Sequence, residues 1–283
     1  MPQKADLHIH TTCSDGKLSP EEVIKLAVSK KLKTVSITDH DTFEGFKIAK
    51  PFAEESGIEL IPGVEVTTVF KEREAHILAY CFETETNYFD DFLNNQRNKR
   101  KARIKGIIDT LNKRKIDIDY QEVWAEAAGG NLGRPHLAKI LIDKGYVSSF
   151  NEAFELYLSN EKLGEIKNSY PSSGEAIQMI KNVGGAAILA HPGRLYSEDE
   201  IEEFVSLGID GLECIHPSHN FRRQEFYSNF CDKKSLLKTG GSDYHGSIGT
   251  GHSHVGIVAI AQKYVDSMKR MTDQRKQTIL VKE

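Results

Sequence analysis

Two histidines, His8 and His10, stand two positions apart in the stretch ADLHIHTTCSDG (residues 5–16), with Asp15 close behind. A period of two places both imidazoles on one face of a strand, where they would crowd each other in an apolar core. A shared metal ion relieves that crowding, because neutral imidazole is the commonest metal ligand. The same residue types recur at intervals: TDHD (38–41) with His40, GVE (63–65) with Glu65, AHPGR (190–194) with His191, CIHPSH (214–219), and GSDYH (241–245) with Asp243 and His245. His76, inside AHILAYCF (75–82), fits either a ligand or a core position. A donor set of His, Asp and Glu without a well-placed thiolate selects borderline or hard ions, such as Mn²⁺, Zn²⁺, Fe²⁺ or Mg²⁺. The roughly nine candidates exceed the needs of one ion, since a catalytic zinc takes three protein ligands and keeps one position open. Two or three ions are therefore expected. Adjacent ions hold the attacking and leaving oxygens of an in-line displacement and generate hydroxide near neutral pH. That chemistry is phosphoester hydrolysis first, and amide or lactone hydrolysis second.

The elements that must position these residues are short apolar, β-branched runs. Strands are expected over 5–10, 33–40, 58–66, 75–82, 185–191, 209–216, 237–245 and 254–260. Helical patterns lie between several of them. In LSPEEVIKLAVSKKL (18–32), Ser19 is a natural N-cap, Pro20 suits the first helical position and Glu22 closes a capping box. Alternating strands and helices predict parallel βαβ units in a barrel or open sheet. Catalytic groups of such folds gather at the carboxyl ends of the strands, and most of the candidates sit at strand ends. From about residue 88 to 168 only helical patterns occur, which reads as a helical insertion into an α/β host. After about residue 262 the chain is a charged last helix or tail.

Other polar residues have two readings each. Asp39 either orients the His40 imidazole from behind, as ligand histidines require, or caps the following turn. Arg134 opens RPHLAKILIDKG, where a guanidinium at a helix start can grip a phosphate in two places or simply face solvent. Arg194 is a second phosphate clamp or a carboxylate partner. His219 is favoured over His216 as donor to a phosphoryl oxygen or leaving group, and His252 and His254 read as structural. The run RNKRKARIK (97–105) holds six basic residues in nine positions. It is a solvated face or an electrostatic funnel for a short polyanion. The lone Trp124 lies some way along the chain, so stacking of a single strand is not indicated.

Composition excludes several classes. The 283 residues carry a net charge of −4, so the molecule is no general nucleic-acid binder. Mean hydropathy is −0.44 with 28% charged residues, the profile of a soluble protein. Four scattered cysteines without a CxxC pair fit reduced thiols. The start MPQKADLHIH lacks an apolar leader and no run is long enough to span a bilayer, so a cytoplasmic location is expected.

Taken together, DLHIHTTCSDG, ITDHDT, IPGVEVTT, AHILAYCF, ILAHPGR and GSDYHG resemble the polymerase and histidinol phosphatase (PHP) family of metal-dependent phosphoesterases. The resemblance implies a distorted seven-stranded (β/α) barrel with a trinuclear site at its mouth, formed by residues 1–95 and 169–262, a helical insertion at 96–168 and a terminal helix or tail at 263–283. It implies His8, His10, Glu65 and Asp243 around one ion, His76 and His191 on a second bridged by Glu65, and Asp15, His40 and His245 on a third, with manganese favoured. GRPH (133–136), with Arg134 and His136, resembles a subgroup acting on 3′,5′-bisphosphonucleotides and short 5′-phosphorylated RNA. The expected function is hydrolysis of such nucleotide phosphate esters by a metal-bound hydroxide, without duplex DNA or membrane as partner. Alternatives are a histidinol-phosphate or other small-metabolite phosphatase, and a metal-binding module without activity.

Overall fold

The structure, a computed structural model, describes residues 4–127, 130–159, 162–163, 169–193, 195–246 and 254–280. The chain begins with β1 (Lys4–Ile9), α1 (Pro20–Ser29), β2 (Thr34–Ile37), α2 (Glu44–Ser56), β3 (Glu59–Phe70) and β4 (Arg73–Tyr80). A helical stretch follows: α3 (Asn87–Lys113), α4 (Tyr120–Glu126), α5 (Arg134–Asp143), α6 (Phe150–Ala153) and a π-helical turn at Phe154–Leu158. The alternation then resumes with α7 (Ser173–Asn182), β5 (Ala186–Leu189), α8 (Glu198–Ser206), β6 (Gly211–Ile215), α9 (Phe221–Lys234), β7 (Leu237–Gly240), β8 (Ile260–Ala261) and α10 (Gln262–Leu280). Ser19 and Glu22 form the reciprocal capping box at the start of α1, a device worth about 1 kcal/mol.

The strands form one sheet in the order β7-β6-β5-β4-β3-β2-β1-β8. It curls into a nearly closed barrel, because the segment after β7 returns to β1: Ser242 N–H donates to Asp6 (2.8 Å) and His10 N–H to the Tyr244 carbonyl (3.0 Å). Gly241 permits this approach, since a Cβ there would lie 2.3 Å from His8 N. Two expectations need correction. The sheet is mixed, with β4 antiparallel to both β3 and β5. The Lys71–Glu72 turn, with φ of 47° and 65°, is the twisted two-residue hairpin that joins neighbouring strands antiparallel. The strand expected over 254–260 is reduced to Ile260–Ala261, antiparallel to the edge of β1.

Helices cover the barrel on its outside. One apolar cluster that includes Phe70, Phe82, Phe89 and Phe204 joins β3–β6 to α3, α7, α8 and α9, with Phe70 stacked on Phe204 at 4.2 Å. Each such side chain stabilises by about 1.5–3 kcal/mol when buried. Val265 and Met268 of α10 close over Leu7, Leu78 and Tyr80. A separate apolar cluster draws only on residues 104–163, from Ile104 and Leu111 to Leu158 and Leu163. Helix α3 links the two, since its first turns place Phe89 and Leu93 in the barrel cluster. Among the described residues no helix is long and apolar enough to cross a membrane. All four cysteines are free thiols.

Candidate metal centre

Strand alternation turns Leu7 and Ile9 into the core and His8 and His10 to the opposite side, all four buried. The two imidazoles meet Glu65, from the middle of β3, and Asp243, from the turn after β7. His8 Nε2 lies 3.3 Å from Glu65 and 3.2 Å from Asp243; His10 Nε2 lies 3.1 and 3.2 Å from the same carboxylates. Around His10 a second group forms with Asp15, His40 and His245, and a third joins His40, Glu65 and His76. The ligand-type atoms of each group lie within 4.8 Å of one another. Glu65 links two of the groups: its Oε2 faces His8, His10 and His40, and its Oε1 faces His76 (2.9 Å) and His191 (3.0 Å). The structure therefore brings all nine candidate ligands together. His10 and His40 each fall in two of the groups, which the family sets do not anticipate.

The loop from His10 to Asp15 is shaped by its backbone. Ser14 and Gly16 N–H groups both donate to the Thr11 carbonyl, and a Cβ on Gly16 would lie 2.3 Å from the His10 carbonyl oxygen. His191, Asp243 and Asp41 adopt positive φ (27°, 48° and 51°), strain of the kind that persists only where the surroundings enforce it.

The electrostatics are those of tightly packed, mutually opposed imidazoles and carboxylates. Burial raises the Glu65, Asp15 and Asp243 carboxyls, but facing imidazoles outweigh it and hold all three well below the usual range. Burial lowers His10 and His76, yet neighbouring carboxylates carry them up to about 10 and about 9. His40 is held low, chiefly by burial. Within the cluster, three buried atoms make no hydrogen bond of good geometry: Asp15 Oδ1, His40 Nδ1 and His76 Nδ1. Orphaned polar atoms in one polar cluster are costly unless a cation completes them, so the residues present fit divalent metal ions.

A second layer, missed in the sequence, steadies the first. Glu213, fully buried in β6, accepts from His8 Nδ1 (3.0 Å) and from His191 N–H (2.7 Å). A carboxylate isolated among Gly211, Leu212, Cys214 and Ile215 was the available signal. Asp41 accepts from Arg100 (2.9 Å) and Thr67 N–H (2.8 Å). Glu74 faces His76 at 3.2 Å and binds Arg103 (2.6 Å) and Arg134 (2.9 Å).

The residues given auxiliary roles are placed differently. Asp39 does not orient His40; it accepts from Thr11 N–H, Thr11 Oγ1 and Ser14 Oγ at 2.6–2.7 Å. Adjacent residues project to opposite sides, so Asp39 anchors the 11–14 loop instead. His219 is not poised to give a proton. Its Nδ1–H donates to the Cys214 carbonyl (3.0 Å) and its Nε2 accepts from Gly193 N–H (3.0 Å), while burial pushes it down to about 4. His216 is the one beside the cluster, 3.3 Å from Asp243. Arg134 is at the start of α5 and is half-covered, pairing with Glu74 and the Leu158 carbonyl. His136 is buried, and its Nδ1 accepts from Gly133 N–H (3.0 Å). Arg194 and His252 lie outside the described residues.

Comparison with known proteins fits this geometry. The profile of the PHP domain matches residues 6–169. A 5′-3′ exoribonuclease of Haemophilus influenzae is 34% identical over 250 residues, covering 87% of this chain and 91% of the relative. A phosphoribosyl 1,2-cyclic phosphate 1,2-diphosphodiesterase of Eggerthella lenta is 29% identical, covering 89% and 97%. A 3′,5′-nucleoside bisphosphate phosphatase of Chromobacterium violaceum is 30% identical, covering 89% and 90%. The crystal structure of a candidate metal-dependent phosphoesterase from Bifidobacterium adolescentis superposes with a TM-score of 0.85 at 29% identity, over 96% of this chain and 98% of that one. The chain belongs to the PHP domain family.

Proposed function

We propose that the protein hydrolyses nucleotide phosphate esters in the cytoplasm, removing the 3′-phosphate of 3′,5′-bisphosphonucleotides and shortening 5′-phosphorylated RNA. It is a metal-dependent phosphoric-ester hydrolase. The observation that carries the reading is the convergence of eight His and Asp side chains on Glu65 and its neighbours, with Asp15, His40 and His76 each holding a buried atom that makes no hydrogen bond. In this proposal His8, His10, Glu65, Asp243, His76, His191, Asp15, His40 and His245 hold two to three divalent ions, manganese first. When bound, such ions lower the pKa of water and offset charge on the phosphoryl oxygens.

The remaining residues bind and orient. Arg134 and Arg103 point their guanidiniums at Glu74, which lies 3.2 Å from His76. An incoming phosphate competes with Glu74 for Arg134, whose fork suits two phosphoryl oxygens. Glu213 keeps His8 in the tautomer with Nδ1 protonated, so that Nε2 faces the cluster. Asp39 holds the loop that presents Asp15.

The test is product release from 3′,5′-adenosine bisphosphate, a 5′-phosphorylated oligoribonucleotide, histidinol phosphate and phosphoribosyl 1,2-cyclic phosphate, each with Mn²⁺ and with EDTA. Turnover of the bisphosphate or the RNA, lost in EDTA and in His10→Ala, is expected. Turnover of the cyclic phosphate alone would instead favour a cyclic-phosphate diesterase, a reading that the Eggerthella lenta relative supports at comparable coverage.

A further inference from the structure

The basic run of α3 divides into two kinds of cation. Arg97, Arg100 and Arg103 recur at a spacing of three and share one helix face. Arg100 is paired with Asp41 and Arg103 with Glu74. Arg97 instead donates to neutral oxygens, the Asp41 carbonyl (2.8 Å) and the Asn94 side chain. Lys101 forms no ion pair among the described residues; its ammonium rests 5.0 Å above the ring of Trp124. The aromatic residue that is remote along the chain is therefore beside these two cations in space.

Arg97, Lys101 and Trp124 line one cavity of about 410 Å³, together with Cys13, Asn131 and Glu44. That volume falls within the usual range for small-molecule sites, about 300–1,000 Å³. Glu44 supplies one negative charge against two positive, so the lining remains net positive. Asn131 is 5% exposed; its side-chain amide donates to the His40 carbonyl (2.6 Å), and its N–H to the Cys13 carbonyl (3.1 Å). Its Oδ1 is buried without a partner. Part of the cavity wall is thus Thr12 and Cys13, from the loop that leads to Asp15, and Asn131 ties the cavity to the backbone of His40.

We propose that this cavity is a subsite for one nucleotide of single-stranded RNA, downstream of the nucleotide whose phosphate is at the metal centre. A backbone phosphate is met by Lys101 and Arg97. The base takes the indole face that Lys101 covers when the cavity is empty, and an N–H of the base edge reaches Asn131 Oδ1. Stacking on an aromatic ring beside cations is how single strands are held without strong sequence preference. The inference deepens the nucleotide-hydrolase reading and rests on it for the direction of the chain, but its binding test does not require turnover.

Trp124 is the only tryptophan, so its emission reports on the cavity alone. The full-length protein in EDTA is titrated with a short 5′-phosphorylated oligoadenylate and with adenosine monophosphate. Saturable quenching by the oligonucleotide only is expected, weakened about tenfold or more in Lys101→Ala, the size of one lost charge-assisted contact to a phosphate. With Mn²⁺, kcat/KM for the oligonucleotide should fall by a similar factor in Lys101→Ala and Trp124→Leu, while that for 3′,5′-adenosine bisphosphate holds; thermal unfolding checks that both variants fold. Absent quenching, quenching unchanged in Lys101→Ala, or an equal fall on both substrates would overturn the subsite. If the wild-type enzyme turned over neither substrate, the proposed function would fail, and the titration would still decide for or against the subsite.

Discussion

Replacing Glu213 by Gln separates positioning from ligation. One carboxylate accepts from His8 Nδ1 at 3.0 Å and from His191 N–H at 2.7 Å, and Glu213 and His8 are both fully buried. Glutamine is nearly isosteric and can still accept from His8, but it turns an amide N–H₂ towards one of the two donors. A buried donor left without acceptor costs about 1–3 kcal/mol. The carboxylate also makes the His8 imidazole a better donor to an ion, and loss of such an outer partner lowers metal affinity about 10–100-fold. That range is about 1.4–2.7 kcal/mol, in the same span as the hydrogen-bond estimate. The assay is competitive Mn²⁺ binding to metal-free protein against a fluorescent chelator, with thermal unfolding in EDTA alongside. Glu213→Gln should weaken one class of site and spare the ions proposed for Asp15, His40 and His245, which Glu213 does not touch. Unchanged affinity at every site, or a uniform loss matched by unfolding of the metal-free protein, would refute the argument.

Other outcomes follow from the same geometry. His219 has its ordinary value of 6.5 moved to about 4, mainly by burial. The unfolded chain therefore binds the extra proton first, and stability drops as pH falls from about 6.5 through 4, by up to about 3 kcal/mol; denaturant titration of His219→Gln against wild type over this window should show the slope removed. Asp41→Asn leaves the buried Arg100 guanidinium without its carboxylate, which should cost about 3–5 kcal/mol in chemical denaturation. Arg134→Ala should raise KM for 3′,5′-adenosine bisphosphate by about tenfold or more, as for loss of a charge-assisted hydrogen bond of about 1.5–3 kcal/mol; an unchanged KM would return Arg134 to a purely structural pairing with Glu74. Removal of divalent ions should abolish turnover and lower the unfolding temperature, because ions that bind only the folded state stabilise it.

The chemistry of the centre is legible in the chain itself. Local rules place His8 and His10 on one strand face, put His40, His191, Asp243 and His245 at or just past strand ends, and cap α1 with Ser19 and Glu22, because period and capping depend on near neighbours. The antiparallel β4 is less visible, although the two residues between Phe70 and Arg73 leave room only for a hairpin. Partnership is another matter. That Glu213 serves His8 and His191, that Asp39 serves Thr11 and Ser14 rather than His40, and that His219 spends both ring nitrogens on backbone groups depend on contacts across barrel strands and loops. The basic run of α3 shows the limit most clearly: of six similar charges in sequence, Arg100 and Arg103 become carboxylate-paired anchors, whereas Arg97 rests on neutral oxygens and Lys101 on an indole ring, only when Asp41, Glu74 and Trp124 are folded against them. Residue type and spacing determine what chemistry is available, whereas the partner of each charge is decided by long-range packing, which no local pattern encodes.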